Sequence, residues 1–201
     1  MNEKVSKWCR EIENLAEVAK SQPHAAYSAF IHGQQHKFTY FLRTIAGITS
    51  CLEPLDEVIN NKFIPTLFGR EVTESEREVI SLPIREGGLG LRNVSLNADR
   101  SYRASSQITR LLIQHIIEQS DELPDAPQEY QDKKATLTEQ KTFETTRAVS
   151  IKSQQTAELQ RTLDQFSQPG ASSWLGALPI ASQGFDLNKC KVRKMSKTRE
   201  R

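Results

Sequence analysis

The helical pattern of the chain is interrupted at one stretch, Ser81-Leu82-Pro83-Ile84-Arg85-Glu86-Gly87-Gly88-Leu89-Gly90-Leu91-Arg92-Asn93. Three of the nine glycines lie within four residues of it, shortly after a leucine–proline pair. Glycine is favoured where the backbone turns left-handed or passes close to another group. The stretch, called the glycine cassette below, therefore predicts a structural turn at Gly87, Gly88 and Gly90.

A nucleotide-binding loop is the alternative interpretation of the glycine cassette. A dinucleotide fingerprint needs a preceding strand and a third glycine at position 93, where this chain has Asn93. A Walker phosphate loop needs Gly-Lys-Ser/Thr, which the sequence lacks. The structural turn is the favoured interpretation.

Apolar residues recur at helical spacing on both sides of the cassette. The predicted helices cover 3–20, 23–47, 52–68, a short segment before Pro83, and a segment from about 95 to 119. Thr73 and Glu76 form a capping-box pattern at the start of the short helix, and Ser95 or Asn97 is the predicted cap of the last one. Only 89–94 is a candidate for a short extended piece. The predicted fold class is mainly α, an irregular bundle of about five helices.

The composition changes at Ser120. We expect a helical domain over 1–120, followed by the segments 121–128, 129–167, 168–187 and 188–201. The first is an acidic linker with two prolines, and the second is one long polar helix, marginal in isolation. The third contains Trp174 and is apolar enough to predict that it docks onto the body.

Basic residues are unevenly distributed along the chain. Residues 188–201 hold seven of the 27 lysines and arginines and one acidic residue, whereas residues 1–187 hold 20 basic and 24 acidic residues. The body is therefore slightly acidic, which is not typical of a broad nucleic-acid-binding surface. The last segment predicts a disordered basic tail.

No targeting or membrane segment is visible in the sequence. An amphipathic pattern follows Met1 without an apolar signal region, and no apolar run approaches the roughly 18 residues of a membrane span. Cys9, Cys51 and Cys190 form no Cys-x-x-Cys pair. We expect an intracellular protein, cytoplasmic or nuclear, with no membrane partner.

No residue pattern indicates catalysis, a metal or a cofactor. His32 and His36 have the spacing of two metal ligands on one helix, but Gly33 stands where a metalloprotease has its catalytic glutamate. No third ligand is evident, and a solvated helix face is the favoured interpretation. We predict no catalytic residue, no metal site and no cofactor.

Two groups of residues are candidates for non-specific contact with RNA or DNA. Basic side chains can hold phosphates, and a tyrosine can stack on a base. For each single residue, a solvated helix flank is the competing interpretation. The candidates are Lys37, Tyr40 and Arg43 on the second helix, and Arg92, Arg100 and Arg103 after the cassette.

A series of short motifs occurs in a fixed order along the chain. The first motifs are His24-Ala25-Ala26-Tyr27, Phe30-Ile31-His32-Gly33, Tyr40-Phe41-Leu42-Arg43-Thr44-Ile45, Phe63-Ile64-Pro65 and Leu67-Phe68-Gly69-Arg70. They continue with Leu82-Pro83-Ile84-Arg85, Gly87-Gly88-Leu89-Gly90-Leu91, Ser172-Ser173-Trp174-Leu175, Leu178-Pro179-Ile180 and Gly184-Phe185-Asp186-Leu187. The motifs up to Leu91 resemble the thumb-side region, after the palm, of reverse transcriptases of non-LTR (LINE-like) retrotransposons. The motifs from Ser172 onward resemble a segment further downstream in the same open reading frames.

The resemblance implies that 1–120 is a thumb-like domain and that fingers and palm would precede Met1. Polymerisation in that family needs paired aspartates that hold two metal ions, and this chain contains neither an Asp-Asp pair nor Tyr-x-Asp-Asp. The resemblance therefore implies a fragmentary, non-catalytic remnant with at most weak nucleic-acid contact. The alternative is a helical adaptor that binds a protein through the polar helix and the Trp174 patch.

Overall fold

The computed structural model describes residues 1–120, 126–180 and 182. Over these residues the chain forms seven helices and no strand. The helices are α1 (Asn2–Ala19), α2 (23–44), α3 (49–68), α4 (Glu74–Ser81), α5 (Val94–Ile117), α6 (Ala126–Ser153) and α7 (Ala157–Phe166). The mainly α fold class is confirmed, with seven helices rather than about five.

Helices α2 and α3 each contain one wider π turn. In α2, the turn Phe30–Gln34 separates Pro23–Ala29 from Gln35–Thr44. In α3, the turn Ile59–Phe63 comes just before Pro65. Because proline has no N–H to donate and its ring crowds the preceding turn, a wider turn at this place relieves both problems.

The core lies where α1, α2 and α3 meet. Phe30 and Phe63 are fully buried and stack with their ring centroids 5.0 Å apart. Trp8 of α1 packs edge-on against Phe38 and Phe41, with centroids 5.9 and 5.1 Å away. The amphipathic stripes read from the sequence thus face one another, and α5 packs against both α2 and α3.

The cap of α5 differs from the prediction. Asn93, rather than Ser95 or Asn97, is the N-cap residue, and its side-chain oxygen accepts a hydrogen bond from the Leu96 N–H at 3.0 Å. The buried Asp56 of α3 adds two further acceptors, taking the N–H groups of residues 94 and 95 at 2.7 and 2.8 Å. This tertiary carboxylate moves the start of the helix earlier.

The second half of α5 is more exposed than predicted. The helical spacing of the apolar residues predicts Leu112, Ile113 and Ile116 on a buried side of this helix, but all three are exposed, as is Ile117. The buried residues of α5 lie in its first half, where α2 and α3 cover it. The helix therefore ends in an apolar surface that nothing in the described part of the chain covers completely.

The single polar helix predicted over 129–167 is two helices. Helix α6 begins at Ala126, inside the predicted linker, and ends at Ser153. Thr156 caps α7 by accepting a hydrogen bond from the Leu159 N–H at 3.3 Å. The cap lets the chain turn back, so that Leu163 of α7 becomes buried. Linker residues 121–125 lie outside the described residues.

The segment around Trp174 packs onto the helical body. Leu175 is buried with the main core, and Trp174 packs against that core. The Ser28 hydroxyl donates a hydrogen bond to the Ala177 carbonyl at 3.5 Å. Residues 183–187 of this segment and the basic tail over 188–201 lie outside the described residues.

Candidate nucleic-acid interface

The glycine cassette forms a tight turn between α4 and α5. Gly87 and Gly90 have φ angles of +85° and +70°, in the left-handed region. The Leu89 carbonyl accepts a buried hydrogen bond from the Tyr27 hydroxyl at 2.8 Å, and this bond ties the turn to α2. The turn directs Arg85 and Arg92 toward α6.

Glu144 of α6 is the shared partner of these two arginines. Arg85 Nη2 lies 2.6 Å from Glu144 Oε2, and Arg92 Nη2 lies 3.1 Å from Oε1. Arg85 also lies 3.8 Å from Glu86, which in turn lies 3.6 Å from Lys152. Each carboxylate of this cluster is therefore shared by two cations.

Arg100 and Arg147 bring two further positive charges to Glu144. Burial lowers the pKa of Arg100; Glu144 opposes the shift, and Arg92 and Arg147 reinforce it. The Arg147 guanidinium donates a hydrogen bond to the Ser81 hydroxyl at 2.9 Å. Arg85, Arg92 and Arg100 thus interact with one carboxylate, Arg147 lies close to Arg100, and the positive charges outnumber the negative one.

The guanidinium of Arg100 stacks on an aromatic ring. Its central carbon lies 4.0 Å from the centroid of the Phe143 ring, and Nη2 donates to Asn97 Oδ1 at 2.7 Å. Nη1 is buried and makes no hydrogen bond to the described part of the chain. Phe143 is itself half exposed. The pair places an unpaired but buried donor beside an accessible aromatic ring.

These side chains line a groove of about 590 Å³ between α5 and α6. Its cationic members are Arg100, Arg103 and Arg147, and its two acidic members are Asp99 and Glu139. The Phe143 ring also lines the groove. Side-chain amides supply most of its remaining polar wall, and they come from Asn93, Asn97, Gln107 and Gln140. We call this surface the arginine groove.

The predicted contact residues divide into two separate groups. Arg100 and Arg103 line the arginine groove, and Arg92 lies beside it through Glu144. Lys37, Tyr40 and Arg43 lie on α2 and are exposed, but they do not line the groove. Lys37 is paired with Glu11 of α1 at 2.9 Å.

Sequence reasoning missed the contribution of α6. Phe143 and Arg147 line the groove together with Gln140, and Glu144 lies beside them. Their positions are three, four and seven residues after 140, which is the spacing of one helix face. That periodicity was readable in the sequence, but it is carried by polar residues rather than by an apolar stripe.

Comparison with protein-family models, with curated proteins and with solved structures finds no match for this chain. Over 1–120, 126–180 and 182, no three His, Cys, Asp or Glu side chains are grouped closely enough to hold a metal ion. In the same residues, no helix combines the length and the apolar character that crossing a membrane requires.

Proposed function

We propose that this chain is a non-catalytic helical module that contacts RNA or DNA without sequence specificity through the arginine groove. The observation that carries the proposal is that Arg85 and Arg92 both pair with Glu144, while Arg100 lies close enough to feel the charges of Glu144, Arg92 and Arg147. Like charges held this close repel one another unless further anions join them. Phosphate groups supply such anions, and arginine binds them with a planar, multi-donor geometry.

The aromatic ring in the groove favours nucleic acid over a free anion. Phe143 is half exposed beside the guanidinium of Arg100. Single-stranded nucleic acids stack their bases on such rings while basic side chains follow the backbone. A base on Phe143 with neighbouring phosphates on Arg92 and Arg103 would occupy the length of the groove.

The ordered motifs support an origin in a retrotransposon reverse transcriptase. In that scheme the chain is a thumb-like remnant, and the lack of an Asp-Asp pair makes it non-catalytic. It would act in the cytoplasm or the nucleus, where nucleic acid is found. A primer-extension assay tests the non-catalytic part, because template-directed synthesis by the purified chain would contradict it.

Paired charge variants test the groove itself. Arg92→Gln with Arg103→Gln removes one exposed arginine of the groove and one exposed arginine beside it. We expect the Kd for a labelled single-stranded RNA to rise about tenfold, since each lost phosphate contact weakens binding by about 0.7 kcal/mol. The matched control is Arg10→Gln with Arg161→Gln, which has the same net charge and changes two exposed arginines elsewhere. Equal losses of RNA affinity in both variants would indicate that binding depends on the overall charge or on the basic tail over 188–201, and not on the groove.

A protein-binding adaptor is the second candidate function. It is favoured by the exposed apolar end of α5, which carries Leu112, Ile113, Ile116 and Ile117. Trp174 packs against the core, so Trp174→Ala tests the docked patch and Ile116→Lys tests the exposed one. A defined partner that is lost with either variant and retained after nuclease treatment would favour the adaptor over nucleic-acid contact.

A further inference from the structure

A second cavity is lined by residues of α2, α3, α4, α7, the glycine cassette and the Trp174 segment. Its volume is about 90 Å³, and its wall is almost entirely apolar. Val79, Ile80, Leu159 and Leu163 contribute side chains to it. Because its wall is apolar, the cavity excludes charged molecules.

His24 is a polar residue buried in this mostly apolar wall. The residue is only 2% exposed, and neither ring nitrogen makes a hydrogen bond of ordinary length and angle. The Trp174 backbone interacts with the ring, but one backbone group satisfies one nitrogen. Burial lowers the pKa of His24, and the Trp174 backbone opposes this only in part, so the neutral ring with one donor and one acceptor is favoured.

The other polar groups near the cavity already have partners. Arg70 and Glu76 line one edge and form a two-point ion pair, with nitrogen–oxygen distances of 2.8 and 3.0 Å. The Tyr27 hydroxyl donates to the Leu89 carbonyl. A single imidazole nitrogen is therefore the polar atom that a ligand would have to satisfy.

Water is a poor occupant of this cavity. An ordered internal water typically needs two to four polar partners, and the wall leaves one imidazole nitrogen for it. Dry apolar cavities of about 150 Å³ bind benzene in other proteins. At about 90 Å³ the present cavity is smaller, so it limits a ligand to one compact ring.

We propose that this cavity is a binding site for a small, uncharged aromatic alcohol of the size of phenol, with its hydroxyl on His24 and its ring between α4 and α7. A hydroxyl both donates and accepts, so it satisfies either tautomer of the imidazole. The rings of Tyr27 and Trp174, which line the cavity, provide the edge and face contacts that aromatic ligands prefer. The site is independent of the arginine groove, so either proposal can fail without the other.

Phenol and toluene form the matched ligand pair for the test. They have nearly the same shape, but only phenol carries a hydroxyl, and toluene is the more apolar molecule. A purely apolar cavity would therefore prefer toluene. We expect NMR titration of the full chain to shift the methyl resonances of Val79, Leu159 and Leu163, with phenol binding at least tenfold more tightly than toluene.

His24→Leu should reverse that order, because it removes the hydrogen-bonding atom and leaves an apolar wall. His36→Leu, at an exposed histidine of the same helix, is the control and should keep the preference for phenol. If His24→Leu does not fold, the comparison of phenol with toluene on the unmodified chain still tests the proposal. Tighter binding of toluene, or no shift with either ligand up to its solubility limit, would overturn the proposal.

Discussion

Two glycines of the cassette lie where a side chain has no room. A Cβ on Gly88 would overlap the Leu82 carbonyl, and a Cβ on Gly87 would lie 2.7 Å from the Leu163 carbonyl of α7. Both obstacles are backbone atoms, which cannot move aside as a side chain can. Gly87 also has a left-handed φ angle of +85°. At the residue scale, the cassette is therefore explained by close packing.

We predict that Gly88→Ala lowers the free energy of unfolding by about 3 kcal/mol, the upper range for overpacking a tight contact. Gly33→Ala is the control, because nothing lies within 4 Å of its Cβ position. There we expect a change of less than about 1 kcal/mol, since alanine is the better helix former. Guanidinium denaturation measures both, and similar losses at the two sites would contradict the packing explanation.

The burial of His24 has a consequence for stability against pH. Its pKa is lowered in the folded chain, so the unfolded chain takes up a proton first as the pH falls. We therefore predict a free energy of unfolding unaffected by this group above about pH 7, which decreases as the pH falls through about 6.5 toward the folded pKa. His24→Gln should flatten this decrease, and His36→Gln should not. An unchanged profile for His24→Gln would contradict the prediction.

At the scale of elements, helix ends are stabilised in two different ways. The Thr73 cap of α4 is a local capping box, with both reciprocal hydrogen bonds present. The start of α5 depends instead on Asp56, which is distant in sequence and buried. The first kind of cap is readable from four neighbouring residues. The second requires knowing that α3 and α5 are neighbours.

The two caps predict different sensitivities to mutation. Thr73→Ala should cost about 1 kcal/mol, the usual value of an exposed N-cap. Asp56→Ala should cost about 3 kcal/mol, because it removes two charge-assisted hydrogen bonds and leaves buried N–H groups without acceptors. It also removes the carboxylate whose charge opposes the lowering of the Arg77 pKa, which burial brings to about 10. Equal costs in denaturation experiments would contradict this ranking.

Helix α6 buries few residues for its length of 28 residues. Thr136, Ala148 and Ile151 are its buried members in the described part, whereas α1 to α3 hold most of the core. We predict that amides at 137–147 exchange with solvent well before those of α1 to α3, through local opening. Hydrogen exchange followed by mass spectrometry measures this. Uniform protection of α6 and the core would indicate that α6 unfolds only with the whole molecule.

For the whole molecule, the apolar packing of the helices was easier to predict from the sequence than the arrangement of the polar segments. The stripes of α1 to α3 and the Thr73 cap were readable because local spacing encodes them. The exposed end of α5 was not, because its apolar spacing is the same whether or not a partner covers it. The break at Thr156 was missed because a lone threonine is a weak cap signal within a polar segment.

In the candidate site, too, the residues that are close in sequence were predictable, and those that tertiary packing brings together were not. Arg92, Arg100 and Arg103 were readable because they follow the cassette closely. Glu144, which pairs with Arg92, and the neighbouring Arg147 were not, because they come from a helix about fifty residues later whose groove face is polar. Lys37, Tyr40 and Arg43, the other predicted contact residues, lie on α2 and do not form one surface with the groove. Which charges converge is a property of tertiary packing.

The salt dependence of RNA binding measures how much the arginine groove contributes to phosphate contact. The slope of log Kd against log salt concentration reports how many phosphates the chain neutralises. We predict that Arg92→Gln with Arg103→Gln reduces the slope for single-stranded RNA by about 1.4, or roughly 0.7 for each lost phosphate contact, and that Arg10→Gln with Arg161→Gln leaves it unchanged. The same reduction in both variants, or none in either, would contradict nucleic-acid binding in the arginine groove.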